Sequence, residues 1–383
     1  MKITDIKPMP YKPGELSYYQ FIRGGIGSDY HQGPSFFSYE DGKVLLYWHA
    51  YDFDECSGNG VVLYSVSEDY GVTWSDPQVF MADYLGGVPG FIHMLRLSDS
   101  DKAIMLHTRT RHHIEVDKKL HRLVKGSNYF QSTTRLFIRR SEDKGHTFDA
   151  GEELPWDRVS GGKELPVTKF YGGIDSLIQL KNGRIVAAFT FLDPDCIGDL
   201  DNPKQHYTGA CLLSDDGGQT WTRSEEITVD TLRGVMEIQL AETEPNRILG
   251  LFRTKGGYVY QTVSLDGGKT WSRSEPSSLT APESITRMIR LQSGNLLAVR
   301  NNASSTTQHP RYPLVATVSK DGGRTWSEPK MIANETGTNQ LSNHGMIQLE
   351  DGRILLGISH YRAVHPATSD LDFAVFDEKW LMK

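Results

Sequence analysis

Ser264-Leu-Asp266-Gly-Gly268-Lys-Thr270-Trp271 decides the fold, because its pattern, Ser-x-Asp-x-Gly-x-Thr followed by Trp or Phe, occurs five times along the 383 residues. The other copies are Ser67 to Trp74, Ser141 to Phe148, Ser214 to Trp221 and Ser319 to Trp326. An Asp side chain can accept backbone N–H groups within its own turn, and glycine supplies the positive φ such a turn needs. Thr and Trp then open the next strand, where β-branched and aromatic side chains suit a half-buried pleat. The boxes therefore read as fold staples rather than as ligand sites.

Upstream of each box lies a second recurring unit, an apolar run, a turn ending in Gly, and another apolar run. It is clear at Pro34 to Trp48, Ser176 to Phe189, Arg287 to Val299 and Gly345 to Gly357, and looser at Phe91 to Leu106 and Glu237 to Phe252. Asp-Gly or Asn-Gly between apolar runs signals a hairpin. Strands recurring with such regularity predict radial repetition, in which each hairpin is the first half of a four-stranded blade. The fold class expected is all-β, a single six-bladed β-propeller with Asp-box repeats over residues 1–383. The sixth unit lacks a box and ends in Leu371-Asp-Phe-Ala-Val-Phe376; Ile3-Thr-Asp-Ile-Lys-Pro8 is expected to supply its outer strand and close the ring.

In such a ring the residues just before and just after each hairpin crowd one face. They include His31, Gln32, Asp175, Glu237, Arg287, Asn343 and His344 before the hairpins, and His49, Asp52, Asp54, Arg109, Arg253 and Tyr361 after them. Convergent ionisable groups in a concavity mark a candidate active site.

The boxes resemble the Asp-box (BNR) repeats of the sialidase superfamily, and the likeness extends to residues. Met236-Glu237-Ile-Gln-Leu, then Leu249-Gly-Leu-Phe-Arg253, is similar to the sialidase stretch with its catalytic Glu and a substrate-binding Arg, and Arg311 takes the place of a further Arg. The resemblance implies that Glu237 works beside the reacting centre while Arg253 and Arg311 grip a substrate carboxylate, a task that suits the guanidinium fork. Two elements depart. Gln32-Gly-Pro34 stands where sialidases have Arg-Ile-Pro, and Ser342-Asn343-His344-Gly345 stands where they place a Tyr nucleophile.

The expected activity is that of a sialidase-like exo-glycoside hydrolase acting on a terminal, anionic sugar of a glycan. Asp52 or Asp54 is cast as the acid, Glu237 as its partner, and His344, His31 and Tyr361 as further catalytic candidates. Arg253, Arg311, Arg109, Gln32, His49, Asp175 and Arg287 are the candidate substrate contacts. Two alternatives stand beside it. One is a polysaccharide lyase that eliminates across a uronate, using His344, His31 or His49 with Tyr361 and Arg253. The other is a non-catalytic glycan-binding propeller.

The bulk numbers narrow the partners. A net charge of −7, from 41 basic and 48 acidic residues, leaves no basic footprint for nucleic acid. No apolar run approaches the roughly 20 residues of a membrane span. The start, Met1-Lys-Ile-Thr-Asp-Ile, has no apolar signal core, so a cytoplasmic location is the expectation. Cys56, Cys196 and Cys211 have no metal-ligand spacing, and neither metal nor cofactor is expected.

Overall fold

The computed structural model describes residues 8–25, 28–40, 42–51, 60–82, 87–98, 100–111, 116–117, 122–123, 133–155, 172–192, 206–363 and 367–383. The fold is all-β, apart from a short C-terminal helix, Glu378–Met382. Each predicted hairpin opens an antiparallel meander. The first runs through Tyr30–Ser38, Val44–Tyr51, Val61–Ser67 and Gln78–Met81, and the fourth through Met236–Glu244, Arg247–Arg253, Tyr258–Ser264 and Glu275–Thr280. The second, third and fifth units begin at Gly87–Arg96, Gly172–Gln179 and Arg287–Arg290.

The last unit closes differently from the sequence expectation. Its third strand, Thr368–Asp377, pairs with Ser17–Ile22, with Ser17 opposite Val375 and Tyr19 opposite Phe373. Ser17–Ile22 thus takes the place expected of Ile3 to Pro8, of which only Pro8 lies among the described residues. Tyr19 and Phe21 alternate inward toward Phe373 while Tyr18 and Gln20 face out, and a bulge between Gln20 and Ile22 turns Ile22 into the core as well. The same third strand makes a parallel bridge to the first unit at Tyr30 and Ser369, so N- and C-terminal strands meet in one sheet.

The apolar core is divided among the gaps between consecutive units. The gap between the second and third units is typical: Ile104, Leu106 and Ile138 of the second meet Phe189, Phe191 and Trp221 of the third. The final gap is filled by Val44, Leu46 and Trp48 of the first unit against Leu355, Leu371 and Phe373 of the last. Burying each such side chain stabilises by about 1.5–3 kcal/mol, so neighbouring units hold one another.

The boxes act as the sequence suggests. In the fourth unit Ser264 Oγ donates to Asp266 Oδ1 (2.8 Å), Thr270 Oγ1 to Asp266 Oδ2 (2.7 Å), and the Thr270 and Gly268 amides bond to Asp266 and Ser264. Gly268, at φ +90°, lies against Val186 and Leu213 of the preceding unit. Gly71, Gly145, Gly218 and Gly323 repeat this contact on Leu355, Phe37, Ile104 and Leu249. Each box therefore seats its turn on the unit before it.

Candidate active site

Opposite the box turns, the first strands begin with a recurring irregularity. The pairing register slips between Gln32 and Ser35, Gly90 and His93, Ile174 and Ser176, Met236 and Gln239, and Ser342 and Gly345. A bulge of this kind bends the strand and re-aims one side chain. At four of these bulges a residue has positive φ: Gly33 (+61°), Phe91 (+45°), Glu237 (+54°) and Asn343 (+43°). These residues keep some exposure, whereas their successors Pro34, Ile92, Ile238 and His344 are all buried. Non-glycine residues with positive φ cost energy and gather at functional sites.

Around Glu237 the end of the next strand and the connections between units assemble an ion cluster. Arg253 NH1 donates to Glu237 Oε2 at 3.1 Å, and Arg253 NH2 lies 3.6 Å from Glu283 Oε1. Arg233 NH1 lies 2.5 Å from the same Glu283 oxygen, and Lys255 Nζ 3.8 Å from its Oε2. Arg311 reaches the cluster through its NH2, which donates to the Glu283 carbonyl at 3.3 Å. Burial pushes the Glu237 carboxyl upward, but the charges of Arg253, Arg311 and Arg287 outweigh it and hold Glu237 below the usual range.

Asp175 goes the other way. Burial, reinforced by the negative charge of Glu237, raises its pKa well above the ordinary carboxylate value. Its Oδ2 accepts from the Ile238 amide at 3.1 Å, which pins the Glu237 bulge to the third unit. Arg287 links the third and last units, with Nε donating to the His344 carbonyl (2.8 Å) and NH1 to the Asp175 carbonyl (3.2 Å). A carboxyl whose pKa is pushed up beside one whose pKa is held down is the arrangement from which acid and base roles are drawn.

The repeat architecture is reflected in the family comparison. The model of the BNR repeat-like domain matches residues 115–356. The chain belongs to that family. No curated protein matches it. Among solved structures, this BNR-repeat chain resembles a protein of unknown function from Dyadobacter fermentans, at 18% identity and TM-score 0.73, over 96% of this chain and 100% of the other. It also resembles the K499G mutant of NanB sialidase from Streptococcus pneumoniae, at 14% identity and TM-score 0.67, over 96% and 71% of the two chains. The intramolecular trans-sialidase of Ruminococcus gnavus, in complex with oseltamivir carboxylate, matches at 15% identity and TM-score 0.64, over 92% and 96%. At such identities the likeness concerns the fold.

Within this BNR-repeat fold the residues singled out by sequence occupy different depths. Glu237, Arg253, Arg311, Arg287 and Asp175 come together as described. His344 occupies the second bulge position, equivalent to buried Pro34, Ile92 and Ile238, and its Nε2 sits 2.9 Å from the Val299 carbonyl. Burial lowers it to about 4, so it is neutral at pH 7, and the partly exposed residue of this bulge is Asn343. His31 is also a core side chain; its Nδ1 accepts from Trp48 Nε1 at 3.0 Å, and burial lowers its pKa to about 4. His49 lies between the backbones of Gln32 and Pro89, lowered to about 4 by burial, and Gln32 is itself buried. Tyr361 packs on Tyr30 with ring centroids 6.1 Å apart, at the seam between last and first units. Arg109 is half-buried on the second strand of the second unit, opposite Pro89. Asp52 and Asp54 lie outside the described residues.

Sequence reasoning missed Glu283, Arg233, Lys255 and Phe91. Glu283 and Arg233 stand in connections between units, outside the hairpin pattern that guided the search. A lone Glu in Ala281-Pro-Glu-Ser-Ile-Thr286, a segment buried throughout, was the available signal for Glu283. Phe91 was legible only as an apolar strand residue, yet it is 37% exposed.

One group among the described residues has the donor atoms of a metal site. Ligand atoms of His360, Asp370 and Asp372 lie within 4.8 Å of one another. They are already engaged: His360 Nδ1 with Asp372 Oδ2 (2.6 Å), Asp372 Oδ2 with the Tyr18 hydroxyl (2.7 Å), and Asp370 Oδ2 with Arg362 Nε (2.6 Å). Arg362 supplies there positive charge of the kind a metal ion would bring.

Proposed function

We propose that this BNR-repeat chain is a six-bladed propeller that hydrolyses the glycosidic bond of a terminal, anionic sugar. In support of the blade count, first strands of consecutive units pack together around the ring and apolar clusters fill the gaps, including that between last and first. The observation carrying the activity is the ionised Glu237, presented on a strained bulge and held by Arg253 beside Arg311. In this reading Glu237, as base, takes a proton from a water whose oxygen bonds to the anomeric carbon as the glycosidic C–O bond breaks. The two arginines grip the substrate carboxylate through their forks. Asp52 or Asp54, at the end of the first hairpin, is proposed as the acid that protonates the leaving oxygen.

Hydrolysis is favoured over β-elimination by the state of His344. A base that removes a ring proton must reach it, and His344 is fully buried against Val299. The test is aglycone release from aryl glycosides of sialic, uronic and neutral sugars. Glu237→Gln should lower kcat/KM by about 10²–10⁴-fold on the substrate that wild type cleaves, with its circular dichroism unchanged. An unsaturated uronate product formed equally well by Glu237→Gln would refute the hydrolase.

A further inference from the structure

We infer that Glu283 is the positioning residue of this site, a buried carboxylate that keeps Arg253 against Glu237 by shielding it from Arg233. This deepens the proposed function and rests on that reading for its ligand. Arg233 NH1 and Arg253 NH2 approach one oxygen, Glu283 Oε1, at 2.5 and 3.6 Å. Two guanidinium groups converging so closely repel unless an anion lies between them. The Glu283 side chain is 0% exposed, so bulk solvent does not screen the two guanidinium groups from each other there. Its backbone is fixed as well: its amide donates to the Thr307 carbonyl (2.8 Å) and its carbonyl accepts from Arg311 (3.3 Å). Glu283 therefore touches both arginines assigned to the substrate while standing behind them.

The sign of one effect separates positioning from simple charge. Removing a negative charge near Glu237 would, by Coulomb's law alone, lower its pKa and tighten anion binding. If Glu283 positions Arg253, its loss lets Arg233 drive Arg253 outward. Glu237 then loses its partner, so its pKa rises and anion binding weakens.

The experiment is a ¹³C NMR titration of carboxyl-labelled glutamate in the full chain, with Glu237 assigned by its absence in Glu237→Gln. In Glu283→Gln we expect the Glu237 midpoint to rise by about one pH unit. Adding Arg233→Met should return it toward wild type, because the repelling cation is gone. Glu283→Asp, which keeps the charge but shortens the reach, should give a smaller rise and serves if the Gln variant does not fold. A midpoint that falls or stays put in Glu283→Gln or Glu283→Asp overturns the inference. In parallel, Glu283→Gln should bind the sugar acid recognised by wild type, N-acetylneuraminic or glucuronic acid, about tenfold more weakly; tighter binding overturns it too. Wild type binding neither acid would defeat the anionic-sugar reading, and the titration would still decide Glu283.

Discussion

Glu237 shows how a single dihedral selects a residue for work. At φ +54° it occupies a region that costs an L-residue roughly 1–2 kcal/mol, and that cost is offset by the Asp175 bond to the next amide and by Arg253. Asn343 stands at the same place in the last unit with φ +43°. Asn tolerates this region and a β-branched side chain does not. Asn343→Gly should leave stability within about 0.5 kcal/mol, while Asn343→Val should lose about 1–2 kcal/mol in urea unfolding. The histidines were legible as a crowd but not in their states. Polarity placed His31 and His344 in the candidate set; only packing shows their rings turned inward, at bulge and strand positions where other units carry apolar side chains.

At the scale of elements, box and hairpin differ in how openly they are written. The box is local, with donor and acceptor four residues apart, so its sequence pattern is its structure. Gly323 illustrates its second task. At φ +88° its missing side chain leaves room for Leu249 of the preceding unit, and a Cβ there would collide with it. Gly323→Ala should cost about 2 kcal/mol in urea unfolding, from φ strain and overpacking together, with kcat/KM unchanged because the box lies on the far face. The bulges have no such signature. Gly-Pro, Phe-Ile, Glu-Ile and Asn-His have no residue type common to all four, and their equivalence follows from strand register alone.

For the molecule as a whole, closure joins distant segments through His360. Its Nε2 lies 2.7 Å from Glu335 of the fifth unit's trailing loop, and its Nδ1 2.6 Å from Asp372 of the last unit's third strand, whose Oδ2 also accepts from Tyr18 of the closing strand. Burial lowers its pKa, but the Asp372 hydrogen bond and the Asp372 and Glu335 charges outweigh burial and Arg362, and the net shift is upward. A raised histidine pKa gives stability that is fully present below the unfolded value near 6.5 and lost as pH rises through the folded value. His31, His49, His93, His107 and His344 have the opposite sign. Burial lowers each, to about 4 or, for His93, about 3. Their contribution is full above about 6.5 and declines as pH falls toward 4. Thermal unfolding from pH 4 to 9 should therefore show Tm falling steeply on the acid side. A shallower alkaline decline should vanish in His360→Gln, and an alkaline limb unchanged in that variant would exclude the His360 contribution.

The sequence by itself determined the repeating elements, because Asp-box turns and Gly-turned hairpins are set by residues within a few positions of one another. It also marked Glu237, Arg253 and Arg311, which stand in a recognisable pattern. The tertiary structure decided which strand closes the last unit, which histidines face inward, and that Glu283 and Arg233 join the site. Those outcomes depend on contacts between residues tens to hundreds of positions apart, whose register and burial no local pattern encodes.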